Sequence, residues 1–120
     1  MFNSPKNFYK KLLGRNGEKL AEKYLKKNGY SILETNYVCH YGEADIIASK
    51  NGVIVFVEVK TRTSDKFGLP KEAVDAKKQE KYRQICQCYF YEKRLGDVEV
   101  AFDVIEILNG EINHIKDALI

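Results

Sequence analysis

At 120 residues, 44% hydrophobic and 31% charged, the chain has the size and balance of one ordinary globular domain. No run approaches the ~18–20 apolar residues of a membrane span, and MFNSPKNFYKKLL lacks the apolar stretch of a secretory signal. The expectation is a cytoplasmic protein with no membrane partner. The net charge of +3 hides an asymmetry: residues 1–35 carry eight Lys/Arg against three acids, and residues 95–120 one Lys against six. A basic N-terminal half suits a polyanionic partner such as nucleic acid.

Ser4-Pro5 is a plausible opening for a first helix, so residues 1–13 read as a helical or flexible extension. The clearer helical pattern runs from about Gly17 to Lys27, with Leu13, Leu20, Ala21, Tyr24 and Leu25 on one stripe. Asn28-Gly29 is a stop, because Gly accepts the left-handed position past the last turn. Tyr30 to Val38 reads as a strand whose alternation Glu34-Thr35-Asn36 interrupts. Residues 43–61 read as a β-hairpin. Thr61 to Pro70 is rich in turn residues and reads as a loop beside the hairpin's end. A basic helix is expected from about Lys71 to Arg94, ending near Leu95-Gly96. Val98 to Ile107 is a strand, Asn109-Gly110 a hairpin turn, and Glu111 to Ile115 the closing strand.

The order αβββαββ defines an α/β domain, a mixed five-stranded sheet flanked by helices, with no repeat or interdomain linker. The helix joining the third and fourth strands makes a crossover, which sets those strands parallel. The first three are expected to be antiparallel. Cys39, Cys86 and Cys88 are odd in number and lack paired CxxC spacing, so they read as reduced, half-buried residues. His40 and His114 are isolated and read as structural or surface residues.

The stretch GEADIIASKNGVIVFVEVK, residues 42 to 60, carries the chemistry. Asn51-Gly52 fits a two-residue type I′ turn, which needs positive φ at both positions. With Lys50 paired to Val53, the same register sets Asp45 opposite Glu58 and Glu43 opposite Lys60. Strand alternation then predicts all four on one face. Glu43 and Lys60 alone would be an ordinary cross-strand ion pair. Asp45 opposite Glu58 is different, because facing like charges cost stability unless a cation sits between them. Ile46-Ile47 and Val53 to Val57 are near-continuous apolar runs, the mark of strands covered on both faces.

An acid ending one strand, followed across a hairpin by Glu-x-Lys, resembles the PD-(D/E)xK phosphodiesterase pattern. Asp45 stands at its Asp position, Glu58 and Lys60 at its Glu-x-Lys positions, and Ala44 where the pattern has Pro. The wider series GRNGEKLAEKYLKKNGY, NY, GEADIIA, VFVEVKTR, FGLP, a Lys-rich helix and FDVIEI resembles the YraN family of small bacterial proteins over residues 14 to 118. That family is grouped with restriction-endonuclease-like, Holliday-junction-resolvase-like folds. The resemblance implies this fold, and metal-dependent nuclease chemistry through the superfamily. Glu18 matches the place where resolvase-like relatives carry an extra acid near the metal, and Glu43 matches the family's Gly-Glu step. Asp103 matches the Phe-Asp-Val segment, with a structural or accessory role. Ala101 stands where the family pattern has a basic residue.

The resemblance implies Mg²⁺ or Mn²⁺, hard cations that prefer oxygen ligands, on Asp45, Glu58 and the Val59 carbonyl. Lys60 would orient the attacking water or stabilise charge on the phosphate. Glu18 would support a second metal or position the water, and Glu43 would hold Lys60. Arg62, Lys66, Lys77, Lys78 and Lys81 are the expected phosphate contacts. Tyr37, Tyr41 and Phe67 are candidates for stacking on unpaired bases. The leading expectation is a nuclease acting on DNA, branched or single-stranded, with RNA and a homodimer left open. A nucleic-acid-binding module that keeps the fold without catalysis, and a protein-docking component, are the competing readings.

Overall fold

A computed structural model describes residues 5–62 and 76–118, with side chains from Asn16 onward. The order is α1 (Pro5–Lys27), β1 (Ser31–Cys39), β2 (Gly42–Lys50), β3 (Val53–Arg62), α2 (Ala76–Lys93), β4 (Glu99–Leu108) and β5 (Glu111–Ile115). This is the expected αβββαββ series. Lys66, Phe67, the Thr63–Pro70 part of the expected loop and the expected first turn of α2 lie outside the described residues. Among the described residues no helix is long and apolar enough to cross a membrane.

The five strands form one sheet in the order β1-β2-β3-β4-β5. Only β3 and β4 run parallel; β1–β2, β2–β3 and β4–β5 are antiparallel. The reason is chain length. Two-residue turns join the antiparallel pairs β2–β3 and β4–β5, whereas β3 reaches β4 only through α2. Asn51 (φ 51°) and Gly52 (φ 80°) take the left-handed pair of the expected turn, and Asn109 (φ 51°) with Gly110 (φ 83°) repeats it.

Two apolar layers cover the sheet. One joins Ala21 and Leu25 of α1 to Ile46, Val55, Val57 and Ile105; the other joins Tyr82, Ile85 and Tyr89 of α2 to Ile47, Ile54 and Phe56. Phe56 and Val57 are both fully buried, which is the double coverage that the apolar run in β3 predicts.

The helices end alike with different residues. After α1, Tyr30 N–H donates to Leu25 O (2.9 Å) around Gly29 at φ 88°; after α2, Leu95 N–H donates to Phe90 O (2.9 Å) around Arg94 at φ 55°. The expected glycine stop is correct for Gly29. The second stop falls on Arg94, beside the expected Leu95-Gly96 end, and Leu95 packs into the α2-side core. The first helix begins at Pro5, the opening expected from Ser4-Pro5. Gly17 marks where α1 touches β3: a Cβ there would run into the Thr61 hydroxyl.

Candidate active site

β3 and β4 end at the same side of the sheet, and the alternation of β3 turns Glu58 and Lys60 toward α2. Phe56, two residues earlier, packs on that face. The expected β2–β3 register holds over the five pairs from Lys50↔Val53 to Ile46↔Val57. Beyond Val57 the main-chain ladder gives way to a side chain: Val59 N–H donates to Asp45 Oδ2 at 2.8 Å. Asn36, between the Thr35↔Ile46 and Tyr37↔Ala44 pairs, takes left-handed backbone (φ 51°) beside this break.

Alternation slips across Asp45. Ala44 and Ile47 both pack on the α2 side, whereas Ile46 and Ala48 pack under α1. The predicted common face for residues 43, 45, 58 and 60 therefore does not include Glu43. Glu43 is exposed, and its charge acts on Glu18 and Asp45. The role of holding Lys60, expected of Glu43, belongs to Glu58: Lys60 Nζ lies 3.8 Å from Glu58 Oε1.

Glu58 is the centre of the arrangement. Its side chain is 10% exposed, and Lys78 Nζ of α2 reaches the same Oε1 at 2.9 Å. Its second oxygen, Oε2, is buried without a hydrogen-bond partner. A buried carboxylate oxygen left unpaired is costly and marks a place for a cation or a donor. Burial pushes the Asp45 carboxyl above the usual carboxylate range; Val59 N–H opposes this, and Glu58 and Glu43 add to it. Glu18 is raised too, by burial and then by Asp45 and Glu43. Glu18, Glu22, Asn36 and Asp45 line a recess of roughly 280 Å³ between α1 and β1. Burial, and then the neighbouring Lys78, lower Lys60 below the ordinary lysine range, with Glu58 opposing.

The donor set suits a hard divalent ion: two carboxylates, one with a buried oxygen that has no hydrogen-bond partner. Among the described residues no three His, Cys, Asp or Glu side chains are arranged to hold a metal by themselves. Mg²⁺ commonly keeps several waters and uses one or two carboxylates with substrate phosphates, so two carboxylates are compatible with it.

The expected phosphate contacts divide. Lys77 is exposed on α2, and Lys81 lies over the Tyr82 ring at 5.3 Å and against Gly42. Arg62 is 16% exposed and its Nε lies 3.3 Å from Glu106 Oε2, so it is engaged within the fold. Tyr37 is buried and donates to Glu92 Oε2 at 2.7 Å, a packing residue rather than a base platform. Tyr41 is 47% exposed.

Asp103 is structural, as expected. It is 3% exposed and holds His114 Nε2 at 2.7 Å and Asp117 N–H at 3.0 Å. His114 Nδ1 meets Tyr24 OH at 3.0 Å, which ties α1 to the β4–β5 hairpin. Sequence reasoning missed Glu106, Tyr82 and the His114 link. The parallel register that sets Glu106 beside Lys60 offered a signal for Glu106, since it is the lone acid among apolar residues near the end of FDVIEI. Tyr82 lies close enough for Glu58, Asp45 and Glu43 to add to the burial that raises its hydroxyl.

The fold and site define a single α/β domain with an acid–lysine cluster where its central strands end. The chain belongs to the uncharacterised protein family UPF0102, whose model matches residues 17–107. A UPF0102 protein of Caldanaerobacter subterraneus is 49% identical over 120 residues, covering 94% of this chain and 98% of the relative. One from Alkaliphilus oremlandii is 50% identical over 114 residues, covering 90% and 97%. A solved structure, SSO0001, matches with a TM-score of 0.44 at 22% identity over 94% of this chain, which spans about half (52%) of that protein's length.

Proposed function

We propose that this protein is a divalent-metal-dependent nuclease that hydrolyses phosphodiester bonds of DNA, with branched or single-stranded DNA as the first candidates. The observation that carries the reading is the convergence of Asp45, Glu58 and Lys60, with Glu58 Oε2 buried and unpartnered. Asp45, Glu58 and the Val59 carbonyl would hold Mg²⁺ or Mn²⁺, which supplies polarisation of the phosphodiester and acidification of a bound water. Lys60 stabilises negative charge developing on the phosphate. Glu18, across the recess from Asp45, orients that water or supports a second cation. Lys77 and Lys81 bind flanking phosphates, which gives affinity without sequence readout.

One observation favours a second reading, a nucleic-acid-binding module without catalysis: Lys78 already neutralises Glu58. A cleavage panel separates the two. Plasmid, single strands, flaps and a four-way junction are incubated with Mg²⁺, Mn²⁺ or EDTA, beside Asp45→Ala and Lys60→Ala. Metal-dependent cleavage that both variants lose supports the nuclease. Binding without cleavage, equal in all three proteins, supports the module.

A further inference from the structure

The hairpin of β1 and β2 is paired to its end. Val38↔Glu43 and Cys39↔Gly42 are the last two pairs, which leaves His40 and Tyr41 as a two-residue tip. Tight turns are usually built from Gly, Pro, Asn, Asp and Ser. This one carries two rings, in edge-to-face contact at 5.3 Å. His40 and Tyr41 are both exposed, and Val38 beside them is 70% exposed. None of the three belongs to either core layer. The tip also stands close to the candidate site. Gly42 follows it at φ 142°, and a Cβ there would press on the Lys81 stem at 3.2 Å. The missing side chain lets Lys81 of α2 lie along the end of the hairpin, where its charge acts on Asp45. Glu43, turned away from Glu58 and Lys60, acts on Glu18 instead. Four residues of extended strand separate Tyr41 from Asp45, roughly 13 Å, or about four stacked base steps.

We propose that the His40–Tyr41 tip stacks on an unpaired nucleobase, with Lys81 on a phosphate between that base and the site, and so selects single-stranded or branched DNA over plain duplex. The inference rests on the nuclease reading and names the feature of the substrate that its site recognises. An exposed ring, a lysine and the metal-binding acids follow one another along the hairpin, which is the order in which a strand would meet them: base, phosphate, scissile bond. Inside a duplex both faces of a base are already stacked, so the ring gains nothing there. An unpaired base offers a free face, and because every base has one, stacking selects the form of the substrate rather than its sequence.

The test is equilibrium binding in Ca²⁺ and in EDTA, read by fluorescence anisotropy of a labelled mixed-sequence oligonucleotide, alone and annealed to its complement. Tyr41→Ala should bind the single strand about 5- to 100-fold more weakly than wild type, the range for loss of one base–aromatic stack. Its affinity for the duplex should not change. Nor should its salt slope, because no phosphate contact is lost. Tyr41→Phe keeps the ring and should bind as wild type does, whereas Tyr41→Leu keeps apolar area without a π face and should weaken as Ala does. Unchanged single-strand affinity in Tyr41→Ala, or equal weakening on strand and duplex, overturns the stacking proposal and leaves the nuclease reading standing. Wild-type affinity in Tyr41→Leu also overturns it. So does a sedimentation mass that falls from dimer to monomer in Tyr41→Ala, which makes the tip an interface between copies. Wild type that binds neither strand nor duplex in either buffer removes both readings.

Discussion

Val59 N–H donates to Asp45 Oδ2 across 2.8 Å, so a side chain joins β2 to β3 at the point where the main-chain ladder stops. This bond fixes the Asp45 carboxylate beside Glu58 and turns a strand irregularity into part of the site. Asp45 therefore has a structural and a chemical role, and two substitutions separate them. Asp45→Ala leaves the Val59 N–H without its acceptor and should cost about 1–3 kcal/mol in denaturant unfolding. Asp45→Asn keeps an acceptor and removes the charge. Because burial, Glu58 and Glu43 raise the folded pKa of Asp45, the metal-free fold loses stability as pH rises from the unfolded carboxylate value to that raised pKa. The Asn variant should thus gain on wild type across that interval and keep the gain above it. The difference should vanish as pH falls toward the unfolded carboxylate value. Urea midpoints at several pH values read this directly.

Gly17→Ala would ordinarily stabilise a helix interior by up to about 1 kcal/mol. Here the added methyl meets the Thr61 hydroxyl, and Thr61 Oγ1 is itself buried without a partner. Overpacking between α1 and β3 should outweigh propensity, for a net loss of about 1–3 kcal/mol in the unfolding midpoint. A stabilised variant would show that α1 does not approach β3 so closely.

The same glycine shows what the sequence could and could not convey. The clear apolar stripe starts only near Gly17, yet α1 runs through it from Pro5, and what the sequence does not convey is that Gly17 lets α1 close on Thr61. The turns were legible: Asn51-Gly52 and Asn109-Gly110 impose their geometry through local sterics alone, and the β2–β3 register follows. The pairing of Asp45 with Glu58 was legible only as proximity. A period-2 pattern cannot report the slip that carries Glu43 away from Lys60, which falls at Asp45, across from Asn36 with its left-handed backbone. Lys78 reads from the sequence as one of the expected phosphate contacts, and its partner Glu58 on β3 is visible only in the fold.

His114→Ala should destabilise the fold by about 2–4 kcal/mol, because it leaves the buried Asp103 carboxylate with Asp117 N–H as its remaining hydrogen-bond donor. Tyr24→Phe removes only the outer hydroxyl of the chain and should cost about 0.5–1.5 kcal/mol. Unfolding curves that place the two variants together would mean that the contact of α1, rather than burial of Asp103, dominates.

Lys77→Ala should weaken DNA binding across sequences alike and reduce the slope of log affinity against log salt by about one. Arg62→Ala should instead lower stability by about 1–3 kcal/mol, since Arg62 neutralises the buried Glu106. A salt titration combined with denaturation distinguishes a residue facing the nucleic acid from one engaged inside the protein.

The most direct test of the central claim is single-turnover cleavage of the preferred DNA by wild type and Asp45→Asn at saturating protein, with binding measured in the same samples. The account predicts bound DNA in both and a rate at least about 100-fold lower for the variant, as for loss of a principal electrostatic contributor. Cleavage by Asp45→Asn at the wild-type rate, or wild-type cleavage that persists in EDTA, would contradict it.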